Sequence, residues 1–227
     1  MTRIHQFCII PTSRYEVKME TAARSDTKGK ILDAALRIIR TKGYTAATVD
    51  DICAAAGVTK GGFFHHFKSK EELALAAAAH FAARADALFA AASFRDAADA
   101  RERLLGYVDF RAALLRGEIP DFTCLLGTMV QETYATHPAI REACNTHIRD
   151  HAADVARDIA EAKQQCVPDA PWTAESLGLF TQAVVQGAFI LAKAGESPDV
   201  AVDCMRHLRR YLESLFPSTN IERSVKG

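Results

Sequence analysis

The sequence lacks paired cysteines: its six cysteines, at positions 8, 53, 124, 144, 166 and 204, form no Cys-x-x-Cys motif. Zinc-finger and thioredoxin-type sites are therefore excluded. The sequence also contains no His-Glu-x-x-His motif, no paired Glu-x-x-His motif, no Gly-x-Ser-x-Gly elbow and no phosphate-binding glycine loop. Because these motifs mark common classes of enzyme, their absence argues against catalysis. We expect a protein that is not an enzyme and that needs no metal and no cofactor.

Long apolar runs are also missing. The most uniform stretch, Leu73–Ala79, is alanine-rich and far shorter than the ~20 residues that cross a bilayer. Near the N-terminus, the apolar run Phe7–Ile10 is too short for a signal peptide. We expect a cytoplasmic protein with no membrane partner and with reduced cysteines. Met19 is a candidate for the natural start, in which case the first 18 residues are a gene-calling artefact.

What is present is the composition of a soluble globular protein: 227 residues, of which 49% are hydrophobic and 25% are charged. The formal net charge is zero, but it is unevenly distributed. From Arg24 to Leu75 there are nine basic and six acidic residues, a net charge of +3, which leaves −3 on the remainder. This distribution indicates a small head that binds a polyanion, carried on a larger body.

Apolar residues recur at helical spacing along most of the chain, and no segment shows a sustained period of two. We therefore predict an all-α protein of about nine helices, separated by glycine- and proline-containing breaks. The predicted helices are Thr27–Lys42, Val49–Ala56, Thr59 to about Phe67, Ser69 to about Ala92, Asp96–Arg116, Thr123–Tyr134, Pro138–Gln165, Thr173–Ala194 and Pro198–Leu215.

The second and third helices are short, follow a longer helix and are joined by a turn at Gly57, which is the pattern of a helix-turn-helix. Phe63 and Phe67 are four residues apart, so they share one face and anchor the unit together with Ile52 and Val58. In such a unit the N-terminal end of the second helix enters the major groove of DNA.

The opposite face of that helix carries the residues that are free to meet DNA: Lys60, Gly61, Phe64 and His65. Glycine costs about 1 kcal/mol relative to alanine inside a helix, so the Gly61-Gly62 pair needs an explanation. Close approach of the backbone to the groove supplies one, because a Cβ at either position would hold the helix away. The alternative, close packing by another part of the chain, remains open.

The stretch "GVTKGGFFHHFKSKEEL", residues 57–73, closely resembles the recognition helix and following helix of the TetR family of transcriptional regulators. Upstream, "ILDAALRIIRTKGYTAATVDDICAAAGV" resembles the first two helices of that family. The resemblance covers Thr27 to about Leu75, and beyond that it is one of architecture only. It implies a homodimeric regulator of transcription, in the first instance a repressor that a small-molecule effector releases from palindromic double-stranded operator DNA.

The resemblance also implies DNA contacts. Lys60 would read guanine in the groove beside the two glycines, while Thr48 and Lys70 would contact phosphates. Phe64 departs from the family, which usually has a tyrosine there whose hydroxyl donates to a phosphate. As helix caps, Thr48 and Ser69 need no DNA to explain them. The predicted DNA-binding residues are Thr48, Thr59, Lys60, Gly61, Gly62, Phe64, His65, His66 and Lys70.

We divide the chain into a flexible arm (1–26), a helix-turn-helix domain (27–72), an effector-binding and dimerisation domain (73–216) and a tail (217–227). The last two predicted helices each carry an apolar stripe suited to a two-fold four-helix bundle, although both stripes could instead face their own core. The stripes are Leu177, Phe180, Val184, Gly187, Ala188 and Leu191, and Val200, Cys204, Leu208, Tyr211, Leu212 and Leu215.

The middle helices would hold the effector, and we assign Cys124, Phe110 and Met129 to its site. Core packing is the alternative role for the apolar residues of these helices. Cys124 follows Thr123, a plausible N-cap, so it would lie in the first turn of a helix, where the dipole can activate a thiol. "CLLGTMVQE" also resembles a segment of family members that respond to electrophiles and oxidants. A structural role for this cysteine is the alternative.

In "CNTHIRDH", residues 144–151, Cys144, His147 and His151 share a helix face. They span ~10.5 Å, too far for all three to bind one zinc ion, so we assign no metal. Two other functions remain as alternatives to the regulator: a small all-α enzyme, and a helical adaptor that dimerises without binding DNA.

Overall fold

The computed structural model describes residues 27–217, and the predicted arm and most of the predicted tail lie outside that range. Ten α-helices and no strands are found in residues 27–217. They are α1 (Thr27–Lys42), α2 (Val49–Ala56), α3 (Lys60–His66), α4 (Lys70–Ala90), α5 (Ala100–Ala113), α6 (Ile119–Phe122), α7 (Leu125–Thr133), α8 (Pro138–Cys166), α9 (Ala174–Gly195) and α10 (Asp199–Leu215). The all-α prediction is confirmed.

Local capping residues fix where the first helices begin and end, at the positions that the sequence predicts. Thr48 caps α2 and forms a capping box with Asp51, and Gly57 ends α2 with a φ of 66°. Thr59 caps α3 by accepting the Gly62 N–H. Ser69 likewise caps α4 by accepting the Glu72 N–H, and the carboxylate of Glu72 accepts from the N–H of Lys68.

The helix-turn-helix closes on its own core and also on the body. Ile52 and Phe63 are fully buried, and Phe67 is nearly so. The same apolar cluster continues into residues of α7 and α8, among them Leu125 and Met129. We call α1 to α3 the head and the remaining helices the body. The head is therefore attached through shared hydrophobic packing rather than through a linker.

A second apolar cluster lies in the body, between α5, α8, α9 and α10. Its most buried large side chains include Leu104, Leu105, Tyr107, Ile159, Leu212 and Phe216. Asp158, on α8 beside this cluster, accepts from Arg95 at 2.8 Å and from Arg103 at 2.9 Å. Both bonds are charge-assisted, so they tie α5 and the turn before it to α8.

Two segments differ from the prediction. The expected break around Pro120 contains the one-turn helix α6, which ends at Thr123. Cys124, rather than Thr123, is the N-cap of α7, and its sulfur accepts the Gly127 N–H at 3.4 Å. The placement of Cys124 inside the first turn was therefore wrong, because Thr123 is already committed to the end of α6.

The expectation of no long apolar segment also needs correction. The helices α4 and α9 are long and apolar enough to cross a membrane when judged by length and composition alone. Core helices of soluble proteins meet the same test. In this fold α4 packs against α1 of the head and α8 of the body, and α9 packs against α8 and α10.

Candidate DNA-binding surface and body cleft

The two glycines of α3 are not required by the fold. A Cβ on Gly61 would have the Thr59 Oγ1 as its nearest neighbour, at 3.7 Å, and a Cβ on Gly62 would meet the same atom at 3.5 Å. Both distances are ordinary van der Waals contacts, and neither glycine has a positive φ. Close packing within residues 27–217 therefore does not explain the two glycines, and their explanation lies outside that part of the chain.

The aromatic residues of α3 divide between core and surface. Phe63 is fully buried, whereas 53% of Phe64 is exposed, with its ring edge against Phe63 at a centroid distance of 5.2 Å. His65 is exposed and its ring lies 4.9 Å from that of the half-buried His66. The helix thus offers an aromatic and imidazole surface on the side away from the core.

Lys60, the expected base-reading residue, is exposed but engaged. Its Nζ forms an ion pair with the Asp50 Oδ1 at 2.8 Å. The hydrogen bond to Asp50 raises the pKa of Lys60. Because both side chains are solvent-exposed, this pair is weak, and Lys60 can leave it for a guanine or a phosphate.

Thr48 and Thr59 act as caps in the structure. The Thr48 hydroxyl donates to Asp51 Oδ2 at 2.9 Å and accepts the Asp51 N–H at 3.0 Å. The hydrogen bond from Lys42, followed by those from Thr48, lowers the pKa of Asp51 to about 2. These bonds order the start of α2, the end of that helix from which a phosphate contact is expected.

Lys70 differs most from its expected role. Its Nζ donates to three carbonyl oxygens of the loop between α1 and α2, those of Tyr44 at 3.0 Å, Thr45 at 3.2 Å and Ala47 at 3.0 Å. The ammonium also lies 4.5 Å from the centroid of the Tyr44 ring. All three of its donors are therefore used within the chain, so Lys70 holds loop 43–47 in this structure, whereas the sequence indicated a free phosphate contact.

The same loop is held from the other side by Glu132 of α7, a residue that the sequence analysis did not single out. Its carboxylate accepts the N–H of Tyr44 at 3.1 Å and of Thr45 at 2.8 Å. A Cβ on Gly43 would lie 2.1 Å from Glu132 Oε1, and Gly43 has a φ of 86°. Glycine at position 43 thus both ends α1 and leaves room for a carboxylate from the body.

A cleft of about 230 Å³ opens beside Glu132. Of the three residues assigned to the effector site, only Cys124 lines it, together with Lys193, Phe189 and others. Met129 is fully buried in the cluster shared with the head. Phe110 packs in the body, with its ring 5.4 Å from that of Phe89. Met129 and Phe110 therefore do not line the cleft.

A smaller cavity of about 70 Å³ shares Cys124, Gln186 and Phe189 with the cleft and extends to His151. His151 Nε2 lies 2.7 Å from Arg111 and 3.1 Å from the Tyr107 hydroxyl. Burial, aided by the charges of Arg111 and Arg95, lowers the pKa of His151 to about 3. The ring is thus neutral at pH 7 and accepts from the guanidinium.

Two residues of "CNTHIRDH", Cys144 and His151, serve the interior. Cys144 is fully buried in the cluster shared with the head, and burial raises the pKa of its thiol to about 12. His151 belongs to the hydrogen-bonded group described above. No group of three or more potential metal ligands occurs within residues 27–217.

The outer face of α9 and α10 exposes large apolar side chains. Phe180 is 43% exposed and its ring lies 5.2 Å from that of Tyr211, which is equally exposed. Leu191 is 49% exposed, and Gly187, on the same helix, has open space beside it. Other members of the two predicted stripes, among them Leu177 and Leu208, are buried in their own chain. The stripes thus serve both the core and an exposed face.

Comparison with known proteins agrees with the helix-turn-helix and with the helical body. The family described as "Bacterial regulatory proteins, tetR family" matches residues 31–77. A second family, described as "Transcriptional regulator LmrA/YxaF-like, C-terminal domain", matches residues 100–207. The two segments correspond to the head with the start of α4, and to most of the body from α5 into α10.

Curated relatives match about a quarter of the chain. The chain is 47% identical over 51 residues to the HTH-type transcriptional regulator CymR of Pseudomonas putida, which is 22% of this chain and 25% of the relative. It is 39% identical over 54 residues to the HTH-type transcriptional repressor KstR2 of Rhodococcus jostii, 24% of this chain and 26% of the relative. The matches thus span about a quarter of these relatives' length.

Solved structures match most of the chain. A TetR-family regulator from Agrobacterium tumefaciens aligns with a TM-score of 0.72 and 19% identity, over 82% of this chain and 96% of that one. A regulatory protein TetR from Rhodobacter sphaeroides aligns with a TM-score of 0.71 and 24% identity, over 80% and 96%. The fold and the head define a helix-turn-helix transcriptional regulator. The chain belongs to the TetR family.

Proposed function

We propose that the chain is a cytoplasmic, sequence-specific repressor that binds palindromic operator DNA as a homodimer and is released by a small-molecule effector. The Gly61-Gly62 pair carries the DNA-binding part of this proposal. Among residues 27–217, no atom lies within 3.4 Å of a Cβ placed at either position, so this part of the fold does not require glycine there. We expect docking of the α3 backbone against a DNA groove to require small residues there, and the exposed Phe64 and Lys60 would contact the same groove.

The outer face of α9 and α10 supports the homodimer. A single helix-turn-helix reads few base pairs, so specific binding normally needs two copies at a fixed spacing. The exposed Phe180, Leu191 and Tyr211 form an apolar face, and the open space at Gly187 would let a helix of a second copy approach closely.

The cleft beside Glu132 supports release by an effector, because it lies where the body holds loop 43–47 of the head. A ligand there would favour one arrangement of head and body over another. An electrophile or oxidant is a second candidate signal, since Cys124 lines this cleft and its sulfur accepts an N–H at the start of α7.

The regulatory function is tested by fluorescence anisotropy with DNA from the region upstream of the chain's own gene. We expect binding whose affinity falls steeply as salt rises from about 50 to about 200 mM, because contacts to phosphates release counterions. A helical adaptor or an enzyme without DNA affinity would show no such binding, and either outcome would replace the proposal. Analytical ultracentrifugation of the free protein and of the complex tests for two copies.

The thiol signal is tested separately with a maleimide. Modification of Cys124 is followed by intact-mass measurement with and without DNA, and DNA affinity is measured afterwards. The Cys124→Ser variant is the control. An unreactive Cys124, or modification that leaves DNA binding intact, would exclude thiol sensing and leave a structural cysteine.

A further inference from the structure

The cleft contains a half-buried ammonium that has no carboxylate partner. Lys193 Nζ donates to Thr128 Oγ1 at 2.7 Å. No carboxylate of residues 27–217 lies within 4.0 Å of it. Burial lowers the pKa of Lys193, and the nearby Cys124 and Glu132 oppose that shift only in part. An ammonium has three N–H donors, so further acceptors could bind here.

Thr123 supplies a second, independent sign of a missing acceptor. It is 1% exposed and lines the cleft, yet its hydroxyl has no hydrogen-bond partner. It is the one buried side-chain oxygen or nitrogen without a partner among the described residues. Leaving such a buried group without a partner is unfavourable. A ligand oxygen in the cleft would satisfy this hydroxyl.

The rest of the cleft favours a ligand with an apolar body. Phe189 and Ile190 line one side, and the volume of about 230 Å³ suits a small organic molecule. A cationic ligand would meet the charge of Lys193, while the only carboxylate in the lining, that of Glu132, already accepts two backbone N–H groups. A neutral ligand would leave the ammonium without a counter-charge.

We propose that this cleft binds an organic carboxylate with a compact apolar body, held by Lys193 and Thr123, and that its charge displaces Glu132 from loop 43–47. This proposal rests on the proposed repressor function and names the chemical class of its effector. The ligand's carboxylate would repel that of Glu132 across the cleft. Loss of the Glu132 bonds to the N–H groups of Tyr44 and Thr45 then frees the head from its position for DNA binding.

The site is tested without DNA by isothermal titration calorimetry, with three acids and their amides: acetate, benzoate and 1-naphthoate against acetamide, benzamide and 1-naphthamide. We expect at least one acid to bind about ten- to a hundredfold more tightly than its amide, because charge-assisted hydrogen bonds are the stronger ones. Equal binding of each acid and its amide, or no binding by any acid at millimolar concentration, would overturn the carboxylate site.

Substitution of the ammonium identifies the residue responsible. Lys193→Gln can keep the hydrogen bond to Thr128 but should abolish the preference for acids, and Lys193→Arg should retain part of it. Lys163→Gln is the matched control, because Lys163 is another half-buried lysine and its Nζ donates to the Trp172 carbonyl, outside the cleft. A Lys193→Gln variant that still prefers acids would show that Lys193 is not the anchor.

Transmission to the head is tested by DNA anisotropy with the acid that binds best. In the wild-type chain a saturating concentration should weaken DNA binding at least tenfold. Glu132→Gln should bind the acid at least as tightly but respond less, because a neutral amide is not repelled. An equal response in both proteins would exclude Glu132 as the link. Failure of the wild-type chain to bind DNA would overturn the repressor function, while calorimetry would still decide the carboxylate site.

Discussion

The head and the body differ in how tightly they are packed. The core beneath the outward face of α3 is filled, whereas the helices around Cys124 surround a cleft. In the head, Ile52, Phe63 and Phe67 are buried, so the helix that carries the proposed DNA contacts rests on a packed core. In the body, the cleft of about 230 Å³ adjoins a cavity of about 70 Å³, and the buried Thr123 hydroxyl remains unsatisfied.

This difference suits the two proposed tasks. A surface that reads a fixed shape benefits from a rigid support, because little ordering then remains to be done on binding. A site that must respond to a ligand needs space and unsatisfied groups. Loop 43–47 connects the two regions, since Lys70 holds its carbonyl groups and Glu132 holds its N–H groups.

The largest expected effect is at the α3 glycines. Gly61→Val or Gly62→Val should weaken DNA binding about a hundredfold or more, because the added side chain holds the backbone away from the groove. The fold should persist, since a Cβ at either site meets no atom closer than 3.5 Å.

Fluorescence anisotropy measures the DNA affinity of these variants, and circular dichroism measures their helix content. Gly195→Val, at an open position at the end of α9, is the control. Unchanged affinity would remove these glycines from the DNA surface.

Gly43→Ala should disturb the connection between the two regions. The positive φ costs roughly 1–2 kcal/mol for a residue with a Cβ, and displacement of Glu132 adds to that cost. We expect a loss of about 2–3 kcal/mol in the free energy of unfolding. Urea denaturation of Gly43→Ala, Glu132→Ala and the double variant measures the coupling. Strictly additive losses would show that the two residues act independently.

The body should be more sensitive to acid than the head, because of His151. Its pKa of about 3 in the folded state lies below the 6.5 of the free side chain, so the unfolded chain binds the proton first as pH falls. The free energy of unfolding should therefore decrease between about pH 6.5 and about pH 3, by up to ~1.4 kcal/mol per pH unit.

Urea denaturation at pH 7.5 and 5.5, at one protein concentration, checks this expectation. His151→Gln should be less stable at pH 7.5 and should lose less on acidification than the wild-type chain. His207→Gln, at an exposed position on α10, should keep the wild-type dependence. An identical pH dependence in wild type and His151→Gln would contradict the assignment.

Asp50→Asn should increase the affinity of the head for DNA. The substitution removes the 2.8 Å ion pair with Lys60 and a negative charge beside the surface that we propose binds DNA. We expect severalfold tighter binding at low salt, with the gain shrinking as salt rises because the charges are exposed. Asp109→Asn, whose ion-pair partner is Arg209 in the body, is the control. Weaker binding of Asp50→Asn would mean that Asp50 orients Lys60 for its contact.

The smallest expected effect is at Phe64. Phe64→Tyr adds a hydroxyl to a side chain that is already 53% exposed, and the hydroxyl can donate to a phosphate. We expect an increase in DNA affinity of about two- to tenfold. Phe64→Leu should weaken binding. If Phe64→Tyr bound DNA less tightly, Phe64 would be a packing residue in the complex.

The head was predicted in detail because its signals are local. The N-caps Thr48, Thr59 and Ser69 and the terminating Gly57 act on residues a few positions away, so sequence alone locates α2 and α3. Around Cys124 the same rule failed, because Thr123 is the preferred residue type for an N-cap but Cys124 occupies that position. Packing decides between them: Arg40 of α1 donates to the carbonyls of Asp121 and Thr123 and secures the end of α6.

The candidate cleft could not be predicted in this way. The hydrogen bonds in the cleft and at the neighbouring loop join residues far apart in the chain. They connect Lys193 with Thr128, Glu132 with Tyr44, and Lys70 with the loop that precedes α2. The composition of "CLLGTMVQE" gave no reason to connect its glutamate to the head. Phe110 and Met129 were assigned to the effector site by residue type, but in the structure they pack in apolar clusters.

The sequence by itself determined the helices, most of their ends and the surface proposed for DNA, because helical period, caps and glycines act over a few residues. Only the tertiary structure decided that Lys70 and Glu132 hold one loop from opposite sides, and that Lys193 and Thr123 line one cleft. These contacts depend on how α1, α4, α7 and α9 pack, and hydrophobic packing carries no local sequence signal for the polar groups that it brings together.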